Sequence, residues 1–321
     1  MRICIITNTE SCGGSELSVI HLAKMFSKIG EVCIHPIQDT VCVKMQEELA
    51  KVKYTLSEKL ARKYDILILY SSSMAKFFHV RSFDVLSKIE TKKRVMVLNY
   101  ELGNVYQRDW SKGWDKYIFL SSDMEKEFNE LSQCKEKTKV LAPPVDLTPF
   151  LKVKIDFTKN FRLVKLSSAH GGKYRQDCIQ MMKRIMIFKP NLEFYLMPPP
   201  SVLTESIKGI HTFEANEIPI ANFLSKGNLF YYPVESTMKA GQQGPRVVIE
   251  AMACGMPVIA SNVSGLKDRI TPETGWLCED KEVFFNIIQK LTFNDLIEKG
   301  SNARKRAIEV FNPLKWIEEI C

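Results

Sequence analysis

Several features that would have decided the function quickly are missing from this chain. Its nine cysteines include no C-x-x-C pair, so neither a zinc site nor a disulfide framework is indicated. No G-x-G-x-x-G follows the first apolar run, which sets aside the dinucleotide fingerprint of Rossmann dehydrogenases. Histidine occurs only 5 times in 321 residues, and His170 alone stands in a glycine-rich approach to a cation, Lys173. No uninterrupted apolar stretch is long enough to cross a bilayer. The first residues, Met1 to Glu10, lack the basic-then-apolar pattern of a signal peptide. No internal repeat or low-complexity tract breaks the sequence. These absences lead us to expect a soluble, cytoplasmic protein (host cytoplasm if the chain is viral). Its thiols would be reduced and serve as small hydrophobes.

What is present points to two α/β domains. The length exceeds what one hydrophobic core usually serves, and 45% of the residues are apolar. Lysine and arginine number 45 against 37 acidic residues, a net charge of +8 that favours anionic partners without choosing among them. Short β-rich runs alternate with segments of helical period. Strands are expected at 2–7, 31–37, 65–70, 94–99, 117–120 and 139–141, and helices at 17–29, 44–63 and 122–131. After Pro143-Pro144 the alternation restarts. Strands are then expected at 161–166, 193–197, 229–232 and 257–260, and helices through Met181-Met182 and at 245–253, 282–291 and 315–319. Alternation of this kind implies parallel, doubly wound sheets. The expected division is an N-terminal domain over 1–142, a linker over 143–160, a second domain over 161–305, and a last helix over 306–321 crossing back to the first.

The most informative segment runs from Gly244 through Pro245, Arg246, Val247 and Glu250 to Ala260. It reads as a glycine turn, a helix opened by proline, a glycine stop and a buried strand. Free amides at such a helix start suit a diphosphate, and Glu250 is placed to accept ribose hydroxyls. The plainer reading is an ordinary strand–helix turn with a solvated glutamate. The segment, however, resembles the donor-binding stretch of retaining glycosyltransferases of the GT-B fold and GT4-like class, written E-x7-E and followed by A-M-A-x-G-x-P-V-I. That resemblance implies two Rossmann-like domains facing each other across a cleft. It also implies transfer of a hexosyl or pentosyl group from a nucleoside-diphosphate sugar, UDP-linked, with retention. Glu250 matches the glutamate that contacts ribose. The family's other glutamate falls on Gln242, a neutral amide that keeps hydrogen bonding and loses charge. Glu235 in the same loop is the acid placed to replace it.

Further matches are spread along the chain. Gly13 and Gly14, in Gly13-Gly14-Ser15-Glu16, resemble the family's G-G-x-E loop, where backbone amides approach donor phosphate; alone, the four residues are a turn. Lys165 replaces the family's arginine and Lys173 its lysine, two cations implied to stabilise the departing diphosphate, with Arg175 as a competing candidate. Each of the three is otherwise a surface cation. Thr271 to Leu277 resembles a late E-T-G-x-L turn in which Gly275 is expected at positive φ. A buried Trp316 in the last helix would pack rather than react. On the acceptor side, Glu101 follows a strand end without the family's histidine; it is either near the acceptor or a loop carboxylate. No D-x-D occurs, so transfer is expected to need neither metal nor cofactor beyond the donor. The acceptor is read as either a hydroxymethylated base in duplex (viral) DNA, or a glycan or membrane-surface lipid carrier. The alternative is a catalytically weak sugar-nucleotide-binding protein of the same fold.

Overall fold

A computed structural model describes residues 1–10, 13–37, 41–50, 54–56, 63–71, 86, 89–98, 113–131, 135–167, 173–234 and 244–321. They form two compact units, Met1–Val145 with Pro313–Cys321, and Asp146–Asn312. Glu101, Glu235, Gln242 and His170 lie outside the described residues.

The first unit is built on a parallel sheet of strands β1 (Arg2–Thr7), β2 (Glu31–Pro36), β3 (Tyr54–Leu56), β4 (Lys63–Ser71), β5 (Glu90–Leu98), β6 (Lys116–Phe119) and β7 (Thr138–Val140). Their order is β3-β2-β1-β4-β5-β6-β7. Both faces are covered, so the strands are nearly continuous apolar runs rather than alternating ones. In β1, Ile3 and Ile5 enter one core with Val32, Ile34 and Ile68, while Cys4 and Ile6 enter another with Leu67 and Phe119. Helices α1 (Gly14–Phe26), α2 (Val43–Leu49) and α3 (Ser122–Leu131) belong to this unit.

The second unit repeats the plan. Helix α4 (Thr148–Leu151) leads to β8 (Arg162–Leu166), α5 (Cys178–Phe188), β9 (Glu193–Met197), β10 (Ile210–Thr212), α6 (Ile220–Leu224) and β11 (Leu229–Tyr232). Helix α7 (Arg246–Ala253), β12 (Val258–Ser261), β13 (Gly275–Cys278), α8 (Lys281–Lys290) and α9 (Phe293–Glu309) follow. The order β10-β9-β8-β11-β12-β13 is that of the first sheet with one edge strand fewer. Each order reverses beside its first strand, which places a topological switch point between β1 and β4 and another between β8 and β11. In such sheets ligands collect outside the carboxyl ends of the strands at that point. The last helix, α10 (Lys315–Ile320), packs in the first unit. Trp316 is buried there, its indole N–H donating to the Ala142 carbonyl at 2.8 Å.

Several expectations need correction. The charged stretch 44–63 is not one helix: α2 ends at Leu49, and Tyr54–Leu56 pairs in parallel with Val32–Ile34 as an added edge strand. Gly275 does not adopt positive φ. Glycine is required there because a Cβ would lie 2.0 Å from the Val258 carbonyl oxygen across the β12–β13 pair. Within 143–160, the residues from Asp146 onward pack with the second unit, where Arg304 donates to the carbonyls of Leu151 and Val153. Residues 306–312 also stay with that unit. Among the described residues no helix is long and apolar enough to cross a membrane.

Candidate functional site

In the second unit the described candidates fall in two places: Lys165, Lys173 and Arg175 at and after the carboxyl end of β8, and Gly244, Arg246, Val247 and Glu250 at the start of α7. Gly244 precedes α7 at φ 63°, and a Cβ there would lie 2.5 Å from the Gly265 carbonyl oxygen. Only glycine lets the chain turn so close to that backbone. Pro245 sits one position earlier than expected, at the N-cap. The Val248 amide bonds back to the Pro245 carbonyl, while Arg246 and Val247 open the helix with the positive end of its dipole.

One turn in, Arg246 Nη2 donates to Glu250 Oε1 at 2.7 Å, an i,i+4 pair. The glutamate is not solvated. Its side chain is 1% exposed and the arginine's 10%. Glu250 Oε2 and Arg246 Nη1 are both buried and, among the described residues, have no hydrogen-bond partner. A buried charged pair is stable only when its remaining lone pairs and protons are satisfied.

The two lysines have different surroundings. Lys165, next to last in β8, is fully buried. Its ammonium donates to the Pro233 carbonyl at 3.2 Å and lies 4.4 Å from the Tyr232 ring centroid and 4.6 Å from that of Tyr174. Burial pulls its pKa down to about 7, and the charge of Lys173 pushes the same way. Lys173 is only part-buried, and that burial lowers its pKa. Among the described residues neither lysine forms an ion pair with a carboxylate. Arg175 does: Nε and Nη2 meet the two oxygens of Asp177 at 2.9 and 3.3 Å, and this contact first of all holds the Asp177 carboxyl below its usual range.

In the first unit, Gly13 and Gly14 lie at the N-terminus of α1, beyond the carboxyl end of β1. The Gly13 amide donates to Glu16 Oε2 at 2.9 Å, so this glutamate occupies an N-terminal donor of its own helix. The residues missed by sequence reasoning are Tyr174, Tyr232, Pro233 and Ser261. Their roles depend on which strands become neighbours. The Arg246–Glu250 pair, by contrast, was available from its i,i+4 spacing.

Residues 180–294, less than half of the chain, match the family model described as glycosyl transferases group 1. No curated protein sequence matches the chain. Among solved structures, HepE of Anabaena in complex with UDP-glucose superposes with a TM-score of 0.75, over 100% of this chain and 98% of that one, at 16% identity. The fold is GT-B. A glycosyltransferase from Rickettsia africae superposes with a TM-score of 0.75 at 14% identity, covering 99% of this chain and 97% of its own. Sucrose-phosphate synthase of Thermosynechococcus elongatus does so with 0.69 at 17% identity, covering 99% and 98%. The two parallel sheets with Rossmann strand order are thus the two halves of a GT-B chain.

Proposed function

We propose that the protein transfers a sugar from a nucleoside-diphosphate donor, UDP-linked, to an acceptor hydroxyl with retention of configuration. The observation that carries this reading is the start of α7. A glycine turn, free amides and a buried Arg246–Glu250 pair with an unsatisfied carboxylate oxygen stand together beside the second sheet's switch point. The amides of Arg246 and Val247 receive the diphosphate, and Glu250 Oε2 accepts from the ribose. Lys173 supplies the cation that opposes charge on the departing diphosphate. Arg175 orders the same loop through Asp177. Gln242 and Glu235 are assigned to the sugar, Glu101 to the acceptor, and Gly13 and Gly14 to the donor phosphate. UDP-glucose bound to HepE, of the same fold, supports the donor class. The acceptor in this reading is a glycan or a lipid carrier, with hydroxymethylated DNA as the rival.

The test is release of UDP from UDP-sugars with and without a chelator, together with calorimetric titration of UDP. Turnover that persists in the chelator and requires an added glycan or lipid extract supports the proposal. Tight UDP binding without turnover under any acceptor would make the protein a sugar-nucleotide-binding module. Turnover abolished by chelation and restored by a divalent ion would overturn the metal-independent scheme.

A further inference from the structure

We propose that Lys165 is a positioning residue that fixes the carboxyl end of β11, rather than a cation that touches the donor. This inference rests on the donor-site reading above. Three observations converge on it. The Lys165 side chain is fully buried, so no diphosphate reaches it without displacing its surroundings. Those surroundings are the rings of Tyr174 and Tyr232, and Tyr174 is itself held by its hydroxyl donating to the Pro198 carbonyl at 2.6 Å. Finally, the ammonium has a specific bond, to the carbonyl of Pro233.

The next residue is held from the other side. Ser261 Oγ, at the end of β12, accepts from the Val234 amide at 2.9 Å and donates to the Val234 carbonyl at 2.8 Å. Pro233 and Val234 are thus gripped by side chains from both strands that flank β11, since β8 and β12 each pair with it. An apolar side chain of the same length would fill the space around Lys165 without burying a charge. What the ammonium adds is the bond to Pro233 and attraction to two aromatic faces. The grip is spent where strand order reverses, at the edge that collects ligands. Its effect is to set the height and direction of the backbone leaving β11 beside the donor.

The experiment compares wild type with Lys165→Met and Ser261→Ala by three readouts: exchange of the Val234 amide, UDP affinity by calorimetry, and kcat with a UDP-sugar. Losing one buried hydrogen bond should speed Val234 exchange about tenfold and lower kcat by a similar factor, with UDP affinity within about twofold of wild type. Both variants should give this split, because both loosen the same two residues. The melting midpoint of Lys165→Met should stay within a few degrees of wild type or rise. UDP affinity falling in step with kcat in Lys165→Met would show direct phosphate contact and overturn the proposal, as would unchanged Val234 exchange. If Lys165→Met does not fold, Lys165→Leu takes its place by the same criteria: the split supports the proposal, and unchanged Val234 exchange, or UDP affinity falling in step with kcat, overturns it. A wild type that turns over no nucleoside-diphosphate sugar would defeat the transferase reading, and the exchange measurement would still decide the role of Lys165.

Discussion

At the scale of single residues, Lys165 and Glu250 carry charge where the chain has excluded water, and each leads to a measurable consequence. The folded chain holds the Lys165 proton with a pKa of about 7, while the unfolded chain holds it with one of about 10.4. Between these values the unfolded state binds the proton and the folded state does not, so this group makes stability rise with pH. Below about 7 both states are charged and the penalty is complete. Tyr174 and Tyr232 are raised above the ordinary phenol range by burial, and desolvation also raises Cys178, so the rings stay neutral through the window. Lys165→Met removes the dependence. Its melting midpoint relative to wild type should therefore be higher at pH 7 than at pH 9.5, by about 5 °C; a difference that does not change with pH would refute the buried charge. For Glu250, truncation to alanine strands the Arg246 guanidinium in the interior and costs about 3–5 kcal/mol of stability. Glu250→Gln keeps an acceptor for Arg246 and is the cleaner probe. It should weaken UDP binding about tenfold or more by titration, and unchanged affinity would remove Glu250 from the donor site. The sequence showed Glu250 as a candidate because its neighbours form a motif. It did not show that Lys165 is boxed in, because Tyr232 stands 67 positions away in the numbering and meets it only through β8–β11 pairing.

At the scale of elements, what could be read was whatever repeats locally. Strands 2–7, 193–197 and 229–232 and helix 122–131 lie where apolar runs and helical period put them. The edge strand β3 was hidden inside a charged stretch, and its three residues are strand only because β2 offers an open edge. Helix α9 was missed although Thr292 caps it, accepting from the Asp295 amide while the Asp295 carboxylate accepts from the Thr292 amide, a box written in the sequence. The turn before α7 shows the opposite case, a local signal whose reason is tertiary. In the sequence Gly244 is only a turn glycine; its requirement comes from both positive φ and the Gly265 backbone 2.5 Å from any Cβ. Gly244→Ala should cost about 2 kcal/mol or more, from left-handed strain plus displacement of Gly265. It should also weaken UDP binding, because the helix start would be moved. Denaturant unfolding and the same titration check this, and a variant equal to wild type in both would show that the turn is not constrained as described.

For the whole molecule the open choice is the acceptor, and the placement of charge bears on it more than the net charge does. A duplex DNA acceptor needs lysines and arginines around the ligand edge, contacting phosphates on both sides of a base turned out of the stack. Among the described residues of the first unit, many cations are engaged at the opposite end of the sheet. Arg2 meets Glu31, Lys63 meets Glu90, Lys92 meets Asp65, and Lys116 meets Glu319, near the amino ends of β1, β4, β5 and β6. Lys93 and Lys116 also donate to the Glu319 carbonyl. The exposed pairs among these add little to stability, being screened by solvent, but they engage cations that a DNA surface would need. Among the described residues, these paired cations therefore stand away from the carboxyl ends of the strands, where ligands collect. With radiolabelled UDP-sugar supplied to hydroxymethylated duplex DNA in one reaction and to a glycan and lipid extract in another, label should enter the extract. Incorporation should fall only modestly between about 50 and 200 mM salt, where a protein making many phosphate contacts loses affinity by about 10³ or more. Label found in DNA alone, with steep loss over that salt range, would reverse the assignment of the acceptor while leaving the donor site as described.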